Sequence, residues 1–184
     1  LIGAVRHKGF IPWDDDIDIM MPREDYEKLI AVWDQSAPKR YILQNTRTDS
    51  DFTQNFTKIR KDHTTFLQDE AERTKHYHKG IFVDIFPGDR VPSGKIGQKI
   101  QYVACAVNLL YSRGHTSGSG GVIGMTEKAL LNASKEKCVT RREYAEKKIR
   151  RWNGNGFLQY VFPNTIGCSR KFYPANLFED MKTI

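Results

Sequence analysis

The chain has 184 residues, a formal net charge of +7 and an isoelectric point near 9.3. That length suits one domain, or one domain with an insertion, and is enough to bury a core. No stretch approaches the roughly 20 apolar residues of a membrane span, and three scattered cysteines, Cys105, Cys138 and Cys168, show no CxxC or Cys/His metal spacing, which argues against a disulfide framework and fits a reducing cytoplasm.

The basic balance favours anionic partners: nucleotides, anionic polymers, nucleic acid or a membrane surface. No signal peptide is visible. In chain order, the first feature is Arg6-His7-Lys8-Gly9-Phe10-Ile11-Pro12-Trp13-Asp14-Asp15-Asp16-Ile17-Asp18-Ile19, a basic turn followed by four carboxylates within five residues. Pro12 cannot donate to a central ladder, so a strand is expected to start just after it. Alternation then puts Asp14, Asp16 and Asp18 on one face and Trp13, Asp15, Ile17 and Ile19 on the other, with Cα atoms two residues apart spaced by roughly 6.6 Å. That spacing lets Asp16 and Asp18 converge on one divalent cation. Like charges on one face repel unless a metal or a metal–polyphosphate complex neutralises them. The flanking Phe10, Ile11, Trp13, Ile17, Ile19, Met20 and Met21 point to a buried strand.

Pro22 suits a first helical position. Tyr26, Leu29, Ile30 and Trp33 recur at helical spacing and predict an amphipathic helix to about Ser36. Tyr41–Gln44, residues 55–60 and residues 64–68 read as short strands, with Phe56, Lys58 and Arg60 on one face of the second. Residues 69–79 read as a polar, His-rich loop. Gly80–Phe86 is a β-forming run closed by a turn at Pro87-Gly88. Beyond it, Ile100, Val103, Ala104, Val107, Leu110 and Tyr111 mark a helical stripe, and residues 112–124 a Gly/Ser-rich loop. Thr126 is a candidate cap for a short helix. Thr140-Arg141-Arg142-Glu143 matches a capping box opening a basic helix to about Trp152, which Asn153-Gly154-Asn155-Gly156 stops. Residues 157–162 and 170–178 are aromatic segments, read as strands or packing loops. The expected fold class is α/β (α+β), a mixed sheet with packed helices and a helical, basic back half.

Several residues carry candidate chemistry. Asp84 stands alone in Ile81-Phe82-Val83-Asp84-Ile85-Phe86, and a buried carboxylate needs a cation or donors; backbone N–H groups near Pro87-Gly88 are one source, a metal another. Lys58 and Arg60, two cations on one strand face, suit a polyphosphate, or pair with Asp62, Glu70 or Glu72 at the surface. Asp14 is an outer ligand or a turn residue. His63, His76 and His78 read as solvated surface, since the His76-Tyr77-His78 loop has no matching cysteine or carboxylate cluster. The cations Arg141, Arg142, Lys147, Lys148, Arg150 and Arg151 read as a solvated helix face, with a membrane surface as the other reading.

Gly3 to Asp18 resembles the signature of the LicD family, the cholinephosphotransferases and fukutin-related proteins with a nucleotidyltransferase-like fold. A second block fits as well: Lys58-Ile59-Arg60, Thr64-Thr65-Phe66 and Gly80 to Pro87. The resemblance is strong over residues 1–92 and faint beyond, which divides the chain into a catalytic core at 1–92 and, at 93–184, the helical and C-terminal part of the same domain. The family's Gly-Thr pair ahead of Leu1 and its C-terminal Tyr-Gly-Asp segment are not found, so the chain is expected to be a fragment of a longer protein. The resemblance implies Asp16 and Asp18 as ligands of Mg²⁺ or Mn²⁺, with Asp84, and Asp14 beside them, completing the set or Asp84 acting as the base. It places Arg6, His7 and Lys8 beside the donor phosphates, where Arg clamps with two hydrogen bonds and Lys acts as a point charge; Lys58 and Arg60 join them. It implies a cytoplasmic, Mg-dependent phosphotransferase, possible at the inner membrane face, that moves phosphocholine or a related phospho-alcohol from CDP-choline or another CDP-alcohol to a glycan acceptor, lipid-linked or not: teichoic acid, capsule or lipopolysaccharide. An aromatic wall would suit choline, with Trp13 and Phe86 flanking the carboxylates. The rivals are a nucleotidyltransferase with another acceptor and an inactive nucleotide- or glycan-binding module. Nucleic acid is not expected as a partner, because clustered acids repel phosphates.

Overall fold

The central element is a long strand that carries a buried aspartate on each face. The computed structural model describes residues 3–13, 16–67, 70–154, 159–161 and 173–174. In it β1 (Asp18–Pro22) runs directly into α1 (Arg23–Ser36), followed by β2 (Tyr41–Gln44), β3 (Thr57–Lys61), β4 (Phe82–Arg90), α2 (Lys95–Arg113), α3 (Gly121–Leu131), α4 (Lys135–Arg150) and two short strands, β5 (Gln159–Val161) and β6 (Tyr173–Pro174). The sheet order is β2-β3-β4-β5-β6, with β1 paired to β4. The β1–β4 pair is parallel and the others antiparallel. This is the mixed-sheet α/β architecture expected, with helices in the back half.

The register explains why β4 can run through Pro87 and Gly88, where a turn is predicted. Asp84 N–H donates to the Ile17 carbonyl at 2.9 Å, so the even-numbered backbone groups of β4 face β1. Ile81 O, facing the other way, accepts from Lys61 N on β3. Pro87 has the odd parity, and β3 pairing stops at Thr57↔Ile85. The missing N–H of Pro87 therefore falls beyond the end of β3, where the ladder needs no donor. Parallel pairing with Met21 and Pro22 carries β4 onward.

Side-chain alternation divides the two faces. Thr57, Ile85 and Asp89 share the face covered by α1 and α4. There Tyr26 Oη meets Thr57 Oγ1 at 2.6 Å. Arg23 donates to both oxygens of Asp89, from Nε at 2.9 Å and Nη2 at 2.7 Å. Asn153 adds a third bond to Asp89 at 2.7 Å. Asp89 has no exposed surface, and its carboxylate holds Arg23 charged well above the usual guanidinium range despite burial. One buried carboxylate thus ties β4 to the start of α1 and to the turn after α4. Cys105, Ala104 and Ile149 form the apolar contact between α2 and α4.

Several local expectations are corrected. Residues 64–67 form no strand; they follow the edge through single bonds such as Phe66 N to Lys79 O. The His-rich loop contains a 3₁₀ turn, Glu70–Thr74. Pro22 closes β1 and caps α1 instead of standing inside it. The strand expected just after Pro12 starts only at Asp18, and it is an edge strand: Phe10, Trp13, Ile17 and Ile19 are exposed and Ile11 is buried. In α2 the predicted stripe holds at Ala104, Leu110 and Tyr111, which are buried, and fails at its start. Ile100 and Val103 are exposed, whereas Gln101 and Asn108 are buried, because their amides satisfy carbonyls of Arg90, Ile149 and Arg142. α3 begins at Gly121, ahead of Thr126. Ser134 caps α4, accepting from Lys137 N. Thr140 lies a turn and a half inside, bonding back to Glu136 O at 3.0 Å, so the capping-box pattern there is coincidental.

Removing one partner of a buried, hydrogen-bonded ion pair costs about 3–5 kcal/mol. Asp89→Ala is expected to lose that amount in equilibrium urea unfolding, with the loss shared by every probe of the sheet and of α1. A loss below about 1 kcal/mol, the range of a surface pair, would show that the Arg23–Asp89 link is not what joins the layers.

Candidate active site

The opposite face of the sheet carries the predicted carboxylates. Asp18 and Asp84 are register partners across the β1–β4 pair, and Asp84 and Lys58 are partners across β4–β3. Gln44 of β2 is opposite Lys58. One row thus crosses four strands as Gln44, Lys58, Asp84 and Asp18, with neighbouring strands about 4.8 Å apart. Asp16 lies two residues before Asp18, ahead of the strand. Asp14 and Asp15 lie outside the described residues.

Asp84 is buried, and so is Lys58. Lys58 Nζ donates to both carboxylate oxygens, at 2.7 and 3.0 Å. The same ammonium stands 3.4 Å from the centre of the Phe82 ring and 5.3 Å from that of Phe56. Phe56 packs on Phe86 at 4.7 Å and edge-on to Phe52 at 5.9 Å. These rings keep water from the pair and add cation–π attraction. The cation that a lone buried aspartate requires is therefore a residue of the chain itself.

Charge on this face is out of balance with its surroundings. Burial pushes the Asp84 carboxyl above the usual carboxylate range; the Lys58 ammonium opposes that, while Asp18 and Asp16 add to it. Burial pushes the Lys58 ammonium down, against the pull of Asp84. Asp18, an exposed residue of the edge strand, is raised as well, first by partial desolvation and next by Asp16. The three carboxylates thus feel one another through β1 and β4. Hard oxygen donors of this kind suit Mg²⁺ or Mn²⁺. As they stand, no three His, Cys, Asp or Glu side chains among the described residues are gathered closely enough to hold a metal. The donor chemistry fits a divalent cation; the present arrangement has Asp84 facing Lys58.

The other predicted residues separate into two groups. Arg6 and Lys8 are exposed on the segment ahead of β1. Gly3–His7 forms one π-helical turn, Gly9 N bonds back to Gly3 O at 3.2 Å, and Lys8 takes a positive φ of 54°. A Cβ on Gly3 would collide with the Gly9 carbonyl, so this tight return requires glycine there. Arg60, by contrast, has no exposed surface. Its guanidinium binds Gln44 Oε1 at 2.6 Å and the Gly80 carbonyl at 2.9 Å, which fixes the neighbouring row of the sheet. His63 is exposed beside Asp62, as the solvated reading expects, whereas His78 is half-buried, meeting Asp62 and accepting from the Gly80 N–H. Several α4 cations are tied inward: Arg150 to Glu27 and Glu146, and Arg142 to the Thr53 carbonyl.

Sequence reasoning did not find the cleft beside Lys58. It has a volume of about 400 Å³, and its lining includes Lys58, Phe56, Glu72, Lys75, Tyr77 and Arg113. Tyr77 Oη donates to Glu72 at 3.0 Å. The mixture of cations and rings suits a phosphorylated small molecule, and Arg113 comes from α2, beyond the blocks that the front half offers.

The fold is thus a mixed α/β domain in which acidic residues of β1 and β4 stand in one row with a lysine that also lines a cleft. Residues 1–100 match the family described as LicD/FKTN/FKRP, nucleotidyltransferase domain, and the chain belongs to it. Among curated proteins it is similar to the lipopolysaccharide cholinephosphotransferase LicD of Haemophilus influenzae, at 37% identity over 94 residues, 50% of this chain and 34% of that protein. The aligned part of the chain spans about a third of that relative's length. No solved structure matches.

A site built from mutually repelling carboxylates costs stability. Because the folded-state pKa of Asp18 is raised, its charge disfavours the fold above that pKa, and the penalty fades as pH falls through it. Asp18→Asn is therefore expected to raise the melting temperature of the metal-free protein at neutral pH, with the gain shrinking in acid. Melts in chelator at both pH values check this; a lower melting temperature at neutral pH would mean that Asp18 is held by stabilising donors.

Proposed function

We propose that the chain carries the catalytic core of a metal-dependent phosphotransferase, which moves phosphocholine or a related phospho-alcohol from a CDP-linked donor to a sugar hydroxyl of a cell-envelope glycan. The observation that supports it most is the row Asp18–Asp84–Lys58, with Asp16 beside it, in a member of this family. The relative's printed name, a lipopolysaccharide cholinephosphotransferase, favours choline as the alcohol and lipopolysaccharide as the acceptor. Teichoic acid and capsule precursors present the same chemistry, a sugar hydroxyl.

In this reading Asp16 and Asp18, with Asp84 and Asp14 as further candidates, hold Mg²⁺ or Mn²⁺. A divalent cation there would neutralise charge developing on the donor phosphates. Lys58 and the exposed Arg6 and Lys8 face the same phosphates. The sugar oxygen attacks the β-phosphorus in line; the bond from that phosphorus to the bridging oxygen breaks, and CMP leaves with the electron pair. Asp84, or another carboxylate of the set, takes the hydroxyl proton. Arg60 supports the row instead of meeting the donor. No helix among the described residues is long and apolar enough to cross a membrane. The enzyme would act from the cytoplasm, meeting lipid-linked acceptors at the inner face of the membrane.

Calorimetric titration with CDP-choline, CDP-ribitol and CDP-glycerol, with and without Mg²⁺, tests the reading. Metal-dependent binding of one CDP-alcohol well above CDP supports it, and CMP as the released product completes it. Pyrophosphate release, with a nucleotide left on the acceptor, would instead make the chain a nucleotidyltransferase, and binding without turnover an inactive module. Asp16→Asn and Asp18→Asn should each lower turnover by at least about 10²-fold, the scale of losing one transition-state charge partner, with the fold intact; wild-type turnover in either rejects the metal assignment.

A further inference from the structure

Lys58 is placed where a metal-binding carboxylate would need it least. Its ammonium covers both oxygens of Asp84 from the β3 side, while Asp18 approaches the same residue from the β1 side. Each oxygen of Asp84 thus gives one acceptor site to nitrogen, and the side facing β3 is closed to a metal. Asp18 and Asp84 are register partners with Asp16 two residues before Asp18, and no three ligating side chains among the described residues are gathered at one point.

We infer that Lys58 is a built-in counter-cation that competes with the divalent metal for Asp84: it holds the third carboxylate in the metal-free protein and yields it when the cation binds at Asp16 and Asp18. This rests on the metal-binding reading given above. The exchange conserves the logic of the buried site, since Asp84 always has a cation. An ammonium on a flexible four-carbon stem is suited to move. It also has a destination, because Lys58 lines the cleft of about 400 Å³ together with Lys75 and Arg113. Released there, it stands among other cations and meets the donor's phosphate instead of Asp84. Metal binding would thus create an anion site, and by linkage the phosphate donor would strengthen metal binding by the same factor. Gln44 and Arg60 tie β2 to β3 and do not take part in the exchange: Arg60 is held by Gln44 and the Gly80 carbonyl.

The test is Mn²⁺ binding by calorimetry, without nucleotide, for the wild type and Lys58→Met. Methionine keeps the apolar stem between Phe56 and Phe82 and removes the ammonium. The variant is expected to bind Mn²⁺ about tenfold or more tightly, the change that one charge-assisted hydrogen bond represents, and to melt lower than the wild type without metal but regain the difference with it. Equal or weaker binding by a folded Lys58→Met, with the wild type binding normally, overturns the inference and leaves the metal site standing. Absence of binding in both proteins removes the metal reading and the inference with it. A second measurement needs only the wild type: acylation of lysines by a small amine reagent, read by peptide mass spectrometry. Lys58 should be protected relative to the exposed Lys75 without metal and become reactive at saturating Mg²⁺; protection that does not change on metal binding is the contrary result.

Discussion

Burying a carboxylate on each face of one strand obliges the chain to bring a cation to each face, and the architecture follows from how it does so. On one face of β4, Asp89 is met by Arg23 from the first residue of α1. On the other, Asp84 is met by Lys58 from β3. The first pair sets the distance between helix layer and sheet. The second is made within the sheet, and its lysine also lines a cleft.

The two pairs differ in a way that separates structure from chemistry. Asp89 receives two bonds from a guanidinium and a third from Asn153, and nothing in its contacts asks for another ligand. Arg is suited to that task because its fork matches both carboxylate oxygens at once. Asp84 is held by a point charge on a flexible stem, with Asp18 next to it and repelling it. A guanidinium fork fixes its carboxylate in one geometry, whereas an ammonium on a flexible stem constrains its partner less. The same strand carries both, five residues apart, and parity alone decides which face each serves.

Much of this was legible in the sequence, at the level of single residues. Four acids in five residues announce Asp16 and Asp18, and an aspartate in an apolar β run announces Asp84. Lys58 and Arg60 are visible as two cations of one strand face. What the sequence did not disclose is register. That Lys58 stands opposite Asp84, and Asp18 on its other side, follows from pairings of strands 26 and 66 residues apart. Hydrophobic alternation fixes which face a residue takes but not which neighbour it meets. Arg60 and Lys58 look alike in sequence and differ in the structure only because Arg60 is opposite Phe82, with Gln44 and Gly80 in reach. Asp89 was hidden for another reason. Pro87-Gly88-Asp89 has the composition of a turn, and only the end of β3 at Thr57 lets a proline pass through the strand.

The back half shows where local rules mislead. Thr140 and Glu143 have capping-box spacing, yet Ser134 opens α4 by accepting from Lys137 N, and Thr140 bonds back to the Glu136 carbonyl inside the helix. Ala145 and Ile149 face inward, and Ile149 meets Cys105 on α2. In α2 the exposed Ile100 and Val103 and the buried Gln101 and Asn108 depart from a hydrophobicity-based stripe that holds at Ala104, Leu110 and Tyr111. The carbonyls of Arg90, Ile149 and Arg142 come to rest against this helix and must be satisfied, and an amide does that where an aliphatic side chain cannot. The Asp84 face thus depends on polar satisfaction behind the sheet: Gln101 binds the carbonyl of Arg90, the residue after Asp89, and so steadies the end of the strand whose other face presents Asp84.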